Sequence, residues 1–389
     1  MTFLRGGIFL EEIIRCSRCI LPASLPSVKL DDKGVCNYCN SFDRSFGDWD
    51  NVKEMKKKQF EQIIEKVKKQ NAEYDCLIPL SGGKDSTYAL YVCDKVYNLR
   101  CLCITFDNGF LSDYARKNIR NAINATRADH IYYAVNPKTM LELYKQFIIQ
   151  CGHVCVPCMR GIGLVSYFPL EAFNIPIVIS GNGRKISYLS GFPEVFQSGD
   201  LTVFQNVCKD IEVKNGCASL LGHEPKISYK SYLSAALNLM GIKDKFVPKY
   251  ITPGTVGIYD YLDPNYKEIL ETIAREMGWE RAGDTFEHTD CFLHEIPFYI
   301  HTIKFPEVTP STFYYSNRIR LGQMTREEAL KLELEELENP QIVQGLDDFL
   351  KQIGMSREEF IKEVEDWTKI KKYRNEEPFY GKFYRKFRK

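Results

Sequence analysis

The stretch Ser81-Gly82-Gly83-Lys84-Asp85-Ser86-Thr87 is suited by residue type and order to holding a polyphosphate. Two glycines let a backbone approach an anion closely, and the unpaired N–H groups at a helix N-terminus point at it. Ser81, Ser86 and Thr87 add hydroxyl donors. Lys84 contributes charge or is simply exposed, and Asp85 orients the loop or meets Mg²⁺. The order is not that of the Walker P-loop, which needs G-x-x-x-x-G-K followed by Ser or Thr. A plain glycine turn is the competing reading, but it does not call for so many polar positions between a strand and a helix.

Cysteine supplies the second chemistry. Cys16-x-x-Cys19 and Cys36-x-x-Cys39, sixteen residues apart, have the spacing of a four-thiolate zinc ribbon. A closed set of four ligands implies structure, not catalysis. A rubredoxin-like iron site has the same spacing. An isolated unit this small has little core, so the metal is expected to supply most of its folding energy. Cys155-x-x-Cys158 falls in a predicted loop between two helices. It reads as a redox or persulfide pair, as two ligands of an iron–sulfur cluster, or as a local structural pair. A cluster needs a third ligand, and Cys291, in Glu287-His288-Thr289-Asp290-Cys291, is the best candidate. Cys151, Cys208 and Cys217 are weaker ones. Cys76, Cys93, Cys101 and Cys103 lie within apolar patterns and read as core.

These groups need a scaffold, and the chain alternates strand and helix around them. Strands are predicted near Cys76–Leu80, Arg100–Phe106, His130–Val135 and Ile175–Ser180. Helices are predicted near Tyr88–Tyr97, Tyr114–Thr126, Pro137–Gln150 and Gly161–Phe173. Such alternation implies a parallel sheet covered on both faces, with ligands beyond the carboxyl ends of the strands. The Ser81 loop, Asp107-Asn108-Gly109 and Gly181-Asn182-Gly183-Arg184 all fall at those ends. Asp107 is placed to meet the nucleoside, and Gly181 and Asn182 to close the site. After Pro253-Gly254 the pattern is mostly helical, with Thr325-x-x-Glu328 as a capping box. Three units are expected: a zinc-ribbon-like segment (1–45), a nucleotide-binding domain (46–254) and a helical C-terminal region (255–389).

The 389 residues carry 52 basic and 51 acidic side chains, a net charge of +1, and 44% are hydrophobic. That is an ordinary globular composition, and global charge says nothing for or against nucleic acid. The apolar runs fall far short of the ~20 residues needed to span a membrane. No signal peptide is read at Met1 to Arg15, so fourteen cysteines point to metal or redox chemistry in the cytoplasm.

The pattern S-G-G-x-D-S resembles the PP-loop of the ATP pyrophosphatases. The wider order of pieces is similar to the N-acetyl-sugar amidotransferase family of lipopolysaccharide and pseudaminic acid pathways. The pieces are Arg15-Cys16-x-x-Cys19, Asp32-x-Gly34-Val35-Cys36-x-Tyr38-Cys39, Tyr74 through Tyr88, Asn136-Pro137-Lys138, Cys155-x-Pro157-Cys158, Ile175-Pro176 and Gly322-Gln323-Met324-Thr325-Arg326-Glu327-Glu328-Ala329. The resemblance implies an α/β PP-loop domain of the adenine nucleotide alpha hydrolase (HUP) type, with bound ATP and Mg²⁺. It implies adenylation of an amide or carbonyl oxygen, then replacement of that oxygen by nitrogen. The acceptor would be an N-acetyl or nucleotide sugar, with ammonia from glutaminase and cyclase-like subunits.

PP-loop sulfurtransferases share the adenylation step and combine an internal C-x-x-C with a distant third cysteine around a 4Fe-4S cluster. Sulfur insertion, into tRNA or as a thioamide, is therefore the alternative. A non-catalytic nucleotide sensor is a third reading. The tail from Lys369 to Lys389 mixes nine basic residues with six aromatics. It reads first as a solvated terminal arm and second as an RNA contact.

Overall fold

The computed structural model describes residues 13–183, 201–210, 254–281, 290–338, 343, 345–366 and 368–373. Arg184, Cys217, Glu287, His288, Thr289 and the tail from Arg374 onward lie outside the described residues.

Short apolar runs make a five-stranded parallel sheet. Its strands are β1 (Cys76–Pro79), β2 (Cys101–Asp107), β3 (Asp129–Ala134), β4 (Ile177–Ser180) and β5 (Gly254–Gly257), ordered β3-β2-β1-β4-β5. The central strands are buried almost throughout, as expected where helices cover both faces, whereas edge strand β3 is partly exposed. Alternate residues feed two cores. Leu77, Leu102, Ile104 and Val178 point to one, and Cys76, Ile78, Cys101, Cys103, Ile177 and Ile179 to the other. The cysteines read as core are core.

The second face is covered by α2 (Trp49–Lys68), α3 (Lys84–Tyr91), α4 (Asp113–Ala125) and α8 (Tyr266–Met277). The first is covered by α5 (Pro137–Cys151), α6 (Val156–Ala172) and α7 (Leu201–Asp210), with α9 (Glu295–Lys304), α12 (Leu346–Ile353) and α13 (Arg357–Val364) from the C-terminal region. Strand β5 straddles the boundary read at 254/255 and pairs along its length with β4.

Two helix starts differ from expectation. Helix α3 begins at Lys84, so the second half of the phosphate-type motif is its first turn. Gly83 is the extended N-cap, and the Ser86 and Thr87 hydroxyls both donate to its carbonyl, at 3.1 and 2.9 Å. Helix α6 begins at Val156, so Cys155-x-x-Cys158 is not in a loop. Cys155 is the N-cap, and Pro157 sits where a missing N–H costs nothing.

The cysteine-rich segment leads into α1 (Asn37–Phe46) and does not stand alone. Its cysteines pack with Phe305, Val308 and Phe313, the last on α10 (Thr312–Arg320). The little-exposed Arg15 side chain pairs with Glu333 of α11 (Arg326–Glu338) at 3.0 Å and donates to the Glu307 carbonyl at 3.2 Å. Arg326 donates to the carbonyls of Cys19 and Cys16, at 3.1 and 3.3 Å. The segment is therefore not an isolated unit, because the C-terminal helices share its core. Thr325 and Glu328 form the expected capping box, each backbone N–H donating to the other's side chain.

Candidate functional site

The strand order reverses between β1 and β4, which opens a crevice at their carboxyl ends. The Ser81 loop leaves β1 at that point and Gly181 leaves β4. Gly181 needs to be glycine, because a Cβ there would overlap the Asp85 carbonyl in the first turn of α3. Gly82 has φ +82°, and a Cβ would overlap the Ala115 carbonyl of α4. Its own carbonyl is fixed by Trp279 Nε1 at 3.0 Å and Asn118 Nδ2 at 3.3 Å. The loop closes on itself: Ser86 Oγ accepts from the Ser81 N–H at 3.2 Å, and Ser81 Oγ from the Gly83 N–H at 3.3 Å. The result is a rigid turn whose helix-start N–H groups face the crevice.

Lys84 is buried, not exposed. Its Nζ pairs with Asp85 Oδ2 at 3.1 Å and lies 5.6 Å from the centre of the Tyr266 ring. Asp85 Oδ1 accepts from Tyr259 Oη at 2.9 Å. Burial and then the Asp85 charge push the Tyr259 phenol well above its ordinary range, so it remains a donor. Asp85 is thus oriented from both sides. Asp107, at the end of β2, accepts from Gly109 N at 2.9 Å and from Arg116 and Tyr132 at 3.1 Å each. Asn182 is exposed beside Gly181 and its carbonyl accepts from Tyr259 N at 3.3 Å.

Cys155, Cys158 and Cys291 converge beside this crevice. The segment Asp290–Phe292 lies along the loop after β2. Leu111 and Cys291 form an antiparallel bridge, Phe292 N–H donates to Phe110 O at 2.9 Å, and Ser112 N–H to Asp290 O at 3.2 Å. Asn108 Nδ2 then lies 3.4 Å from Cys158 Sγ and 3.3 Å from Cys291 Sγ. Burial pushes the Cys158 thiol up to about 11, with Asn108 pulling the other way, and the Cys291 thiol up to about 12. Burial, then the two neighbouring sulfurs, raises Cys155. Asp290 links this group to the phosphate-type turn, since a Cβ on Gly83 would meet its Oδ2 at 3.2 Å. Cys151 is buried at the end of α5, and Cys208 packs against the same core from α7.

The three sulfurs at the crevice do not all lie within 4.8 Å of one another, and three thiolates are the donor type of an iron–sulfur cluster. The N-terminal set is different. Among the described residues, only Cys16, Cys19, Cys36 and Cys39 bring their ligand atoms within 4.8 Å of one another. The Cys16–Cys39 and Cys19–Cys36 sulfur separations are 4.0 and 3.7 Å. A tetrahedral ion with ~2.3 Å bonds to sulfur implies edges of ~3.8 Å. The N–H groups of Arg18, Cys19 and Cys36 point at Cys16 Sγ, between 3.2 and 3.4 Å away, and support negative charge there. This set fits a metal ion.

The sequence signalled the loop, the glycines and all seven of these cysteines. It gave no sign of Tyr259, Trp279, Asn118 or Tyr266, which reach the loop from far along the chain. Asn108 lies in a stretch placed at a strand end with no role for its side chain, and Asp290, beside Cys291, reads as a surface residue worth testing as a ligand.

Residues 285–388 match the family model described as the C-terminal domain of WbpG-like lipopolysaccharide biosynthesis proteins. An uncharacterized protein, MJ1599, of Methanocaldococcus jannaschii is 24% identical over 170 residues. That match takes in 43% of this chain and 59% of the relative's length. The NMN synthetase of Francisella tularensis aligns with a TM-score of 0.30 and 16% identity over 61% of this chain and 98% of its own. The U34-tRNA thiolase NcsA of Methanococcus maripaludis, solved with its 4Fe-4S cluster, aligns at 0.28 and 14% over 86% and 91%. At these scores the likenesses carry no weight of their own, and the fold rests on the strand order. No described helix is long and apolar enough to cross a membrane.

Proposed function

We propose that this chain is a PP-loop enzyme that uses ATP to adenylate an amide or carbonyl oxygen of a small molecule, an N-acetyl sugar, and replaces that oxygen with nitrogen. The observation that carries the coarser part is the Ser81–Thr87 turn at the switch point of a parallel sheet. The WbpG-like C-terminal region supports the sugar acceptor. In this reading the loop binds the β- and γ-phosphates through its N–H groups and hydroxyls. Asp85, held by Lys84 and Tyr259, would be the carboxylate that holds the accompanying Mg²⁺, which neutralises phosphate charge when bound. The amide oxygen attacks the α-phosphorus, pyrophosphate leaves, and ammonia then displaces AMP from the activated carbon. Glutaminase and cyclase-like subunits supply that ammonia.

The convergence of Cys155, Cys158 and Cys291 beside the loop favours a second reading, in which the incoming atom is sulfur. The three thiolates would hold an iron–sulfur cluster, which supplies a thiophilic site for that sulfur. Zinc is proposed for Cys16, Cys19, Cys36 and Cys39.

One experiment separates these readings. The chain is purified anaerobically, assayed for zinc, iron and acid-labile sulfide, and incubated with ATP, an N-acetyl nucleotide sugar and either ammonia or sulfide. AMP and pyrophosphate formation with ammonia, on protein holding zinc alone, supports the amidotransferase. Iron with labile sulfide, and turnover with sulfide, supports sulfur insertion. No acceptor-dependent pyrophosphate with any acceptor leaves only the nucleotide sensor.

A further inference from the structure

Asn108 is 4% exposed, so its amide has little access to water. Both ends of that amide are committed. Oδ1 accepts from the Phe110 N–H at 2.8 Å, which fixes which end is oxygen and which is nitrogen. Nδ2 is left facing sulfur, with Cys291 Sγ at 3.3 Å and Cys158 Sγ at 3.4 Å. The backbone carbonyl of the same residue accepts from Tyr144 Oη at 3.3 Å, so the main chain is pinned too.

A neutral thiol is a poor acceptor, and a buried amide donor should not be spent on two of them. A thiolate is a much better one, because a charge-assisted hydrogen bond is roughly twice as strong as a neutral one. Burial keeps both free thiols neutral, so the arrangement suits sulfurs that a bound cluster holds as thiolates. Cys158 comes from the first turn of α6, and Cys291 from a segment more than a hundred residues further on. One amide bridges them, and Cys155 Sγ receives no hydrogen bond from Asn108.

We propose that Asn108 is a positioning residue that holds Cys158 and Cys291 in register and, by donating N–H···S hydrogen bonds to both, raises the reduction potential of a cluster bound to them. This inference rests on the cluster reading of the three cysteines. Hydrogen bonds to the ligating sulfurs are a principal means by which a protein sets such a potential. Donation to two of three ligands also makes the cluster asymmetric, with Cys155 the ligand outside the Asn108 bridge.

The test uses the full chain, reconstituted anaerobically with iron and sulfide. Wild type is compared with Asn108→Asp and Asn108→Leu. The aspartate keeps the shape and the acceptor for the Phe110 N–H but replaces the amide donor with a carboxylate. The leucine removes both. Zinc content and the thermal melt establish that each variant is folded. The expected result is iron and labile sulfide in the wild type, a midpoint shifted to more negative potential in Asn108→Leu, and loss of iron in Asn108→Asp. Wild-type iron content and midpoint in both folded variants overturn the role of Asn108 and leave the cluster reading standing. A wild type that takes up no iron overturns both, and is a different result. If neither variant folds, pulsed electron paramagnetic resonance on the reduced wild type, isotopically labelled at its asparagine side-chain amides, decides the matter. A hyperfine coupling from the label is expected, and its absence overturns the proposal.

Discussion

Two groups of cysteines in one chain are built on opposite principles. Cys16, Cys19, Cys36 and Cys39 are fully buried, close-set and enclosed by their own turns. Cys155, Cys158 and Cys291 are less completely buried and drawn from two distant segments, and Asp290, next to Cys291, reaches Gly83 of the Ser81 loop. The first group has every ligand direction filled by the chain. The second brings three sulfurs together, one fewer than a closed set of four. Closed four-ligand sites serve structure, and sites with an open position serve chemistry. The difference teaches that spacing alone reports ligands, whereas what surrounds them reports their use.

The comparison breaks most visibly at the closed site. Cys36→Ser should release the bound ion, about one equivalent per chain. Hydrogen exchange should rise across residues 13–46 and also in α10 and α11, which share that core. Amides of β1, β2 and β4 should stay protected. Structural zinc sites are worth on the order of 10 kcal/mol in small domains, and the packing against Phe305, Val308 and Phe313 reduces the unfolding that follows. Full metal content in the variant would remove the ribbon.

At the open site the expected loss is of activity. Asp85→Asn keeps the hydrogen bond from Tyr259 while removing the charge that pairs with Lys84. AMP formation should fall by roughly two to four orders of magnitude, since charge-assisted contacts are worth ~1.5–3 kcal/mol each. Turnover at the wild-type rate, measured as pyrophosphate release, would sink the assignment of the loop.

Arg15→Ala sharpens the contrast from the structural side. It leaves Glu333 buried, with Thr312 as its remaining hydrogen-bond partner. Breaking a buried pair in this way costs about 3–5 kcal/mol. Denaturant unfolding should show that loss, and unchanged ATP binding at the loop should accompany it. A loss below 1 kcal/mol would mean that the ribbon does not depend on α11.

The smallest effect is expected at Cys291→Ser. The sulfur is partly exposed and packs at the margin of the core, so stability should change by less than about 1 kcal/mol. Zinc content should be unchanged. Iron, if present in the wild type, should be lost. Retention of all iron would take Cys291 out of the second group.

Much of this was legible because the signals are local. A strand that must be buried on both faces is a short run of apolar residues, and β1, β2 and β4 read that way. A turn that must approach an anion needs glycine, and Gly82 is pressed on the Ala115 backbone while Gly83 faces the Asp290 and Ser81 side chains. The ribbon's two pairs sit at fixed short spacings. The edge strand β5 was missed, because Gly254–Gly257 has two glycines and too little apolar content to signal a strand. The helical start at Val156 was missed because Pro157 and two cysteines look like a loop, although proline is well accepted in a first turn.

The sequence by itself determined which residues could do chemistry: the loop with its hydroxyls and glycines, and seven cysteines in two kinds of pattern. Spacing within a turn or a helix start fixes those, since covalent geometry limits what neighbours can reach. Only the tertiary structure decided which of them meet. Cys291 reaches Cys158 because its segment pairs with the loop after β2, and Asn108 can touch both sulfurs only once that pairing forms. Tyr259 and Trp279 hold the phosphate-type loop from more than 150 residues away. Such contacts come from burial of a shared core, and burial leaves no periodic trace at the particular residue that ends up facing the site.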